Sequence, residues 1–243
     1  MGRASWPTRK SLEASRAPRT VRVAALFSGG KDSTYAAHVA EQQGWEVSHL
    51  VTVHPRGEES MMFHWPNTHL TPLLAEAMGK PLVEVPGSGE PEAEVDELGE
   101  ALRQLGVDGI VSGAVASEYQ RTRLERMGHG IGLKTFTPLW HKDPLELLRS
   151  LRAAGFQAVV AGCFAEGLGR EWLGRPLDEP AIAELAALQR TRGIHPGGEG
   201  GEYESLVLAG PGWKGRVEVV RADAEWQRDR GVWRVREARL AAP

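Results

Sequence analysis

Apolar runs and amphipathic stretches alternate along most of the chain. Val21–Phe27 (VRVAALF) has the unbroken apolar character of a strand covered on both faces. A glycine-bearing loop follows at Ser28–Asp32, then a helical stretch at Ser33–Gln43 that stops at Gly44. The unit recurs. Strands are predicted at Val47–Val53, Leu82–Val85, Gly109–Ser112, Lys134–Thr137 and Phe156–Cys163. Helices are predicted between them at Thr68–Met78, Glu92–Leu105, Ala116–Met127 and Pro144–Ala154. Gly79 and Gly106 stand where helix C-caps are expected. Repeated strand–helix alternation predicts an α/β fold with a mostly parallel, doubly wound sheet holding all six strands.

The pattern changes after Gly167. A helix at Ala181–Gln189 leads into a glycine-rich acidic loop, His195–Glu202 (HPGGEGGE). Glu204–Leu208, Arg216–Arg221 and Val232–Leu240 then alternate as strands between turn residues, which predicts a small antiparallel element. The organisation expected is a tail over 1–20, a nucleotide-binding domain over 21–140 and a smaller α+β subdomain over 141–243. The tail holds Arg3, Arg9, Lys10, Arg16 and Arg19 against a single acid, Glu13. That composition is compatible with a transit peptide, but no apolar face repeats at helical spacing, so a disordered tail is expected.

Composition narrows the function. The chain has 243 residues and a formal charge of −3, so it has no global attraction to nucleic acid, and a nucleic-acid partner is not expected. One cysteine, Cys163, excludes an internal disulfide and a thiolate-rich metal site. No apolar run is long enough to span a membrane, so a soluble, cytoplasmic protein is expected.

Ser28-Gly-Gly-Lys-Asp-Ser33 joins the first strand to the first helix, at the carboxyl edge where ligands of a parallel sheet bind. Gly29 and Gly30 let an anion approach the backbone, and the helix N-terminus adds free N–H groups. Ser28 and Ser33 offer hydroxyls, and Lys31 a counter-charge. Asp32 is a Mg²⁺ ligand or a helix cap. A Walker A loop is excluded because Ala25 stands where its first glycine belongs and Asp32 follows Lys31; no G-x-G-x-x-G is present.

SGGKDS after a first strand resembles the PP-loop of the N-type ATP pyrophosphatases. The resemblance implies an adenine-nucleotide α-hydrolase-like (HUP) sheet whose loop grips the pyrophosphate of ATP. Further motifs follow in order: MFHWPN at Met62–Asn67, EYQRTRLE at Glu118–Glu125, TPLW at Thr137–Trp140, GREWLG at Gly169–Gly174 and GEGGEYES at Gly198–Ser205. Over residues 21–212 the chain resembles the diphthine–ammonia ligase family. The resemblance implies that the carboxylate of diphthine on elongation factor 2 is adenylated by ATP, with Mg²⁺, and amidated by ammonia. With no glutaminase segment recognisable, free ammonia is the expected donor.

Within that frame the candidate catalytic residues are Arg121, Glu199 and Glu202. Arg121 and Arg123 point about 200° apart on a helix, so one of them faces the cleft squarely. Arg121 suits a pyrophosphate or carboxylate clamp, and its alternative is an ion pair with Glu125 at i, i+4. Glu199 and Glu202 flank two glycines, and either could deprotonate ammonium, bind Mg²⁺ or attract a trimethylammonium group. His64, Asn67, Glu118, Tyr119, Gln120 and Tyr203 are candidate substrate contacts, with Tyr203 also readable as a half-buried packing residue. Trp65, Trp140 and Tyr203 could form a cation–π cage, or pack in core or rim. Cys163 reads as a small buried hydrophobe.

The chain departs from the family's pattern at Ala209, where an acid is frequent, at Ser205, where threonine is usual, and at Met127–Gly130. A ligase acting on a small metabolite carboxylate is therefore the alternative. A tRNA thiolase would need more than one cysteine. A nucleotide-binding sensor like the universal stress proteins would carry its phosphate loop late in the chain.

Overall fold

The computed structural model describes residues 19–54 and 66–243. His64 and Trp65 lie outside them, as does all but the end of the 1–20 tail.

Five strands build the first sheet: β1 (Arg22–Leu26), β2 (Glu46–His54), β3 (Leu82–Pro86), β4 (Gly109–Val111) and β5 (Lys134–Phe136). All neighbours are parallel, in the order β3-β2-β1-β4-β5. The helices between them are α1 (Lys31–Gln42), α2 (Thr71–Met78), α3 (Pro91–Arg103) and α4 (Glu118–Gly130). This is the expected adenine-nucleotide α-hydrolase-like sheet. Central β1 is buried over Val23, Ala24 and Ala25, as a parallel strand covered on both faces must be. The chain winds outward through β1, β2 and β3, then returns to place β4 on the other side of β1. That reversal opens a crevice between the loops that follow β1 and β4.

The sixth predicted strand does not join this sheet. β6 (Gln157–Cys163) pairs antiparallel with β7 (Tyr203–Ala209) and with β9 (Arg230–Ala241), which pairs with β8 (Arg216–Gln227). The second sheet has the order β7-β6-β9-β8. The reason is physical: six of the seven residues of β6 are buried, and a fully buried run has the same periodicity in either sheet. The β8–β9 hairpin is also longer than expected. Its charged far end is held by cross-strand ion pairs, Arg234 to Glu225 and Arg236 to Asp223, and it turns at Arg228 with φ of 55°.

Helices α5 (Pro144–Ala153) and α6 (Glu179–Arg192) pack beside the second sheet. One core cluster holds Val23, Leu50 and Leu74 together with Val159, Leu206, Val217 and Val235, so apolar packing is continuous between the sheets. Among the described residues no helix is long and apolar enough to cross a membrane.

Candidate functional site

The segment after β1 runs into α1 without a side-chain cap; Gly30 is the N-cap, and the helix begins at Lys31. Asp32 is thus in the first helical turn rather than in the loop, and it does not cap. The loop is shaped by its own serines. Ser28 and Ser33 Oγ atoms lie 3.1 Å apart, the Gly30 N–H donates to Ser28 Oγ at 3.3 Å, and Ser33 Oγ donates to the Gly30 carbonyl at 3.1 Å. Gly29 has φ of +80°, a conformation that a side chain would strain.

The rest of the loop's geometry is imposed from the second sheet. The Val207 N–H of β7 donates to the Gly29 carbonyl at 2.9 Å, and the Lys31 N–H donates to Ser205 Oγ at 3.1 Å. From the other side, α1 rests on the loop after β4. A Cβ at Gly113 would sit 2.6 Å from the Ser33 nitrogen, so only glycine allows this approach.

A cleft of about 470 Å³ lies at this junction. Ser28, Gly30, Lys31, Asp32 and Ser33 line it, with Gln120 from α4 and Glu199, Tyr203, Glu204 and Ser205 from the C-terminal segments. Five of the six predicted loop residues, all but Gly29, therefore share one cavity with Glu199, one of the two predicted loop glutamates.

Charge in the cleft is concentrated around Lys31. Lys31 is 5% exposed, and its ammonium donates to Asp32 Oδ2 at 2.6 Å and to the Gly197 carbonyl at 2.5 Å and lies 5.3 Å from the centre of the Tyr203 ring. Burial alone would lower its pKa, but Asp32, Tyr203 and Glu199 outweigh burial and raise it, so it stays charged. Glu199 accepts from the Ala116 N–H at 3.1 Å, bridging the acidic loop to the loop after β4. Burial, with Asp32 nearby, pushes its pKa up to about 6, against the pull of Lys31 and the Ala116 N–H.

Glu204 is a carboxyl in this cleft that the sequence reading passed over. Burial pushes its pKa up to about 8, with Asp32 and Glu199 adding to the rise and Lys31 opposing it. The signal that could have found it is its place at the start of a strand just after an acidic glycine loop. Ser205, the last residue of the GEGGEYES motif and a departure from the family's threonine, is a second residue brought to the PP-loop by β7.

The other candidates separate. Glu202 accepts from the His195 N–H at 3.0 Å and from the Gly200 N–H at 2.8 Å, so it folds the acidic loop. Tyr203 is 2% exposed, more buried than expected, and donates to the Pro196 carbonyl at 2.8 Å. Asn67 is 4% exposed, donates to the Trp233 carbonyl and accepts from the Val235 N–H, both at 2.9 Å; its amide is committed to β9.

On α4, Gln120 faces the cleft, while the Glu118 side chain is 65% exposed. Tyr119 is covered by the Arg123 guanidinium at 3.5 Å, and Arg123 is paired with Glu92 at 2.6 Å. Arg121 lies over the Trp140 ring at 4.3 Å, with its Nε 3.6 Å from both Glu118 and Glu125. Trp140 and Tyr203 thus face cations of this chain itself, Arg121 and Lys31. Cys163 is buried and its thiol is pushed up to about 12 by burial, consistent with a packing role.

The model of the diphthamide synthase N-terminal domain matches residues 21–135, and that of the diphthamide synthase C-terminal domain matches residues 143–241. Curated relatives named diphthine–ammonia ligase include the proteins of Bos taurus and Homo sapiens, each 33% identical over 224 residues, covering 82% of this chain and 83% of the relative. The Schizosaccharomyces pombe relative is 32% identical over 217 residues, which cover 81% of this chain but 36% of that longer protein. A solved structure from Methanocaldococcus jannaschii, described as a predicted subunit of tRNA methyltransferase, covers 81% of this chain and 99% of its own at 16% identity, with a TM-score of 0.42. Two adjoining family models that together take in both sheets, and relatives matched over most of their own length, make this chain a member of the diphthamide synthase family.

Proposed function

We propose that the chain is an ATP-dependent amide ligase that adenylates the carboxylate of diphthine on elongation factor 2 and amidates it with ammonia. The observation that carries this reading is the seating of Ser28–Ser33 at the crevice between β1 and β4, in one cleft with Glu199. The cleft's volume falls in the range of about 300–1,000 Å³ usual for small-molecule sites.

In this reading the N-terminal end of α1, with Ser28, Ser33 and Lys31, holds the pyrophosphate portion of ATP. A carboxylate oxygen of the substrate attacks the α-phosphorus, the bond to the bridging oxygen breaks, and pyrophosphate leaves. Ammonia then attacks the acyl carbon, the bond to AMP oxygen breaks, and the amide forms. Glu199 takes a proton from the nitrogen donor, for which its ionised form is needed. Among the described residues no three His, Cys, Asp or Glu side chains converge to hold a metal. Asp32, which lines the cleft, is the residue that would hold a Mg²⁺ arriving with the nucleotide. Such an ion would supply charge neutralisation on the departing pyrophosphate.

The test follows label from α-labelled ATP, with ammonium and elongation factor 2 carrying diphthine. Label is expected in AMP, with diphthamide formed on the protein. Label in ADP would sink the reading. Amide formed on small carboxylic acids, with elongation factor 2 untouched, would move the substrate to a metabolite.

A further inference from the structure

A second and much smaller cavity lies behind the nucleotide cleft. Its volume is about 10 Å³, close to the room one water-sized molecule needs. Lys31, Asp32 and Glu199 line both cavities, so these three residues stand where the two meet. The Gly197 backbone completes the polar side of the recess. The remaining lining is Tyr35 of α1, Val115 from the loop after β4, Pro144, and Leu147, Leu148 and Leu151, which stand on one face of α5.

This shape and chemistry select a small polar occupant. Asp32 and Glu199 bring two carboxyl groups against one lysine ammonium, and the Gly197 carbonyl adds an acceptor, so a compact hydrogen-bond donor is favoured. Hydrated Mg²⁺ keeps several waters and exceeds the space. An alkyl group on the donor would meet the leucine wall. The recess also communicates with the reaction through the one residue, Glu199, that the acidic loop contributes to both sides.

We propose that this recess is the docking site of the nitrogen donor, which enters as ammonium between α1 and α5 and passes Lys31, Asp32 and Glu199 to reach the acyl carbon in the cleft. The inference rests on the amide-ligase reading above. It makes α5 the specificity element that distinguishes ammonia from larger amines.

The experiment supplies the full chain with ATP, elongation factor 2 carrying diphthine, and either ammonium or methylammonium, and reads the product by mass. The parental chain is expected to form the amide and no methylamide. Leu147→Ala and Val115→Ala widen the recess from two different elements, α5 and the loop after β4. Each is expected to gain methylamide formation, by about tenfold or more over the parental trace, since one methylene in a fitted pocket is worth about 10–200-fold. A gained activity cannot come from misfolding. Leu147→Phe fills the recess and is expected to raise the KM for ammonium by about tenfold on the same scale, with the KM for ATP retained. Methylamide formed freely by the parental chain overturns the proposal. So do unaltered donor selectivity in widened variants that still use ammonium, and an unaltered ammonium KM in Leu147→Phe. If the parental chain makes no amide from ammonium, the ligase reading itself fails and the recess falls with it; normal amidation with unchanged selectivity removes the recess alone.

Discussion

Lys31 Nζ lies 2.6 Å from Oδ2 of Asp32, its immediate neighbour in sequence, with the two side chains 6% and 28% exposed. Successive helical residues diverge by about 100°, so this pairing depends on Lys31 folding back around the start of α1. Reading Asp32 as a loop-surface residue suggests that Asp32→Ala would spare the fold. The pairing says otherwise, because it would leave the buried ammonium with the Gly197 carbonyl and the more distant Glu199. Asp32→Ala is expected to lower thermal stability as well as abolish turnover, with about 3–5 kcal/mol as the upper range for breaking a buried pair. Asp32→Asn, which keeps an acceptor for Lys31, should recover most of the stability but not the turnover. Differential scanning calorimetry beside a pyrophosphate-release assay checks both. Parental Tm in Asp32→Ala would show that the ion pair does not support the fold.

The two glutamates of the acidic loop should behave differently on replacement by glutamine. Glu199 lines the cleft and has a pKa pushed up to about 6. Glu199→Gln is expected to retain ATP binding and lose about 10²–10⁴-fold in amide formation, the usual contribution of a general base. The parental amidation rate should fall as pH drops through about 6, because the carboxylate must be ionised to accept a proton. Glu202→Gln instead places an amide NH₂ against one of the two backbone donors it now receives, His195 N–H or Gly200 N–H. It should loosen the loop and lower ATP affinity and amidation together. Calorimetric ATP titration and an ammonia-dependent amidation assay separate the two patterns. Full amidation in Glu199→Gln would remove that residue from the chemistry.

The PP-loop was legible because its chemistry is local: two glycines, a lysine and hydroxyls between a buried strand and a helix. The parallel pairing of the first five strands was implied by the same alternation, while their order was not. The destination of β6 was not, since burial of both faces erases the periodicity that would tell one sheet from the other. Glu204 and Ser205 were invisible as loop partners for a related reason. They meet Lys31 only because β7 crosses behind the PP-loop, a contact spanning 174 residues from Lys31 to Ser205. Asn67 shows the converse. A polar residue beside a motif suggested a ligand, but an amide can equally satisfy the backbone of a distant strand, and sequence carries no record of which backbone groups lack partners.

Glu204 should make stability depend on pH. Its pKa rises from 4.5 to about 8 on folding. Between those values the folded chain holds a proton that the unfolded chain has released, so stability falls as pH rises through that window and levels above it. Glu199 adds to the same slope between 4.5 and about 6. Glu204→Gln is permanently neutral and should flatten the upper part of the curve. Its Tm is expected to exceed the parental one at pH 8 by several °C, with about 4 kcal/mol as the upper bound that a rise from 4.5 to about 8 sets and each kcal/mol worth about 2–4 °C in a chain of this size, and to approach it near pH 4.5. Thermal melts across pH 4–9 without nucleotide are the measurement. Parallel parental and variant curves would mean that Glu204 ionises freely in the folded protein.

Asn67 is expected to matter for folding and not for chemistry. Its side chain donates to the Trp233 carbonyl and accepts from the Val235 N–H, tying the start of the turn that leads into α2 to β9. Its backbone has φ of 69°, a region that asparagine tolerates better than most side chains. Asn67→Ala removes both hydrogen bonds, strands two backbone groups of β9 and keeps the left-handed backbone. A cost of about 2–4 kcal/mol follows from two buried bonds and their unpaired partners. Asn67→Gly relieves the backbone but not the lost bonds, so it should be intermediate. Both variants, assayed well below their melting temperatures, should keep the parental KM for the carboxylate substrate. A raised KM in Asn67→Ala with unchanged Tm would return this residue to the substrate site.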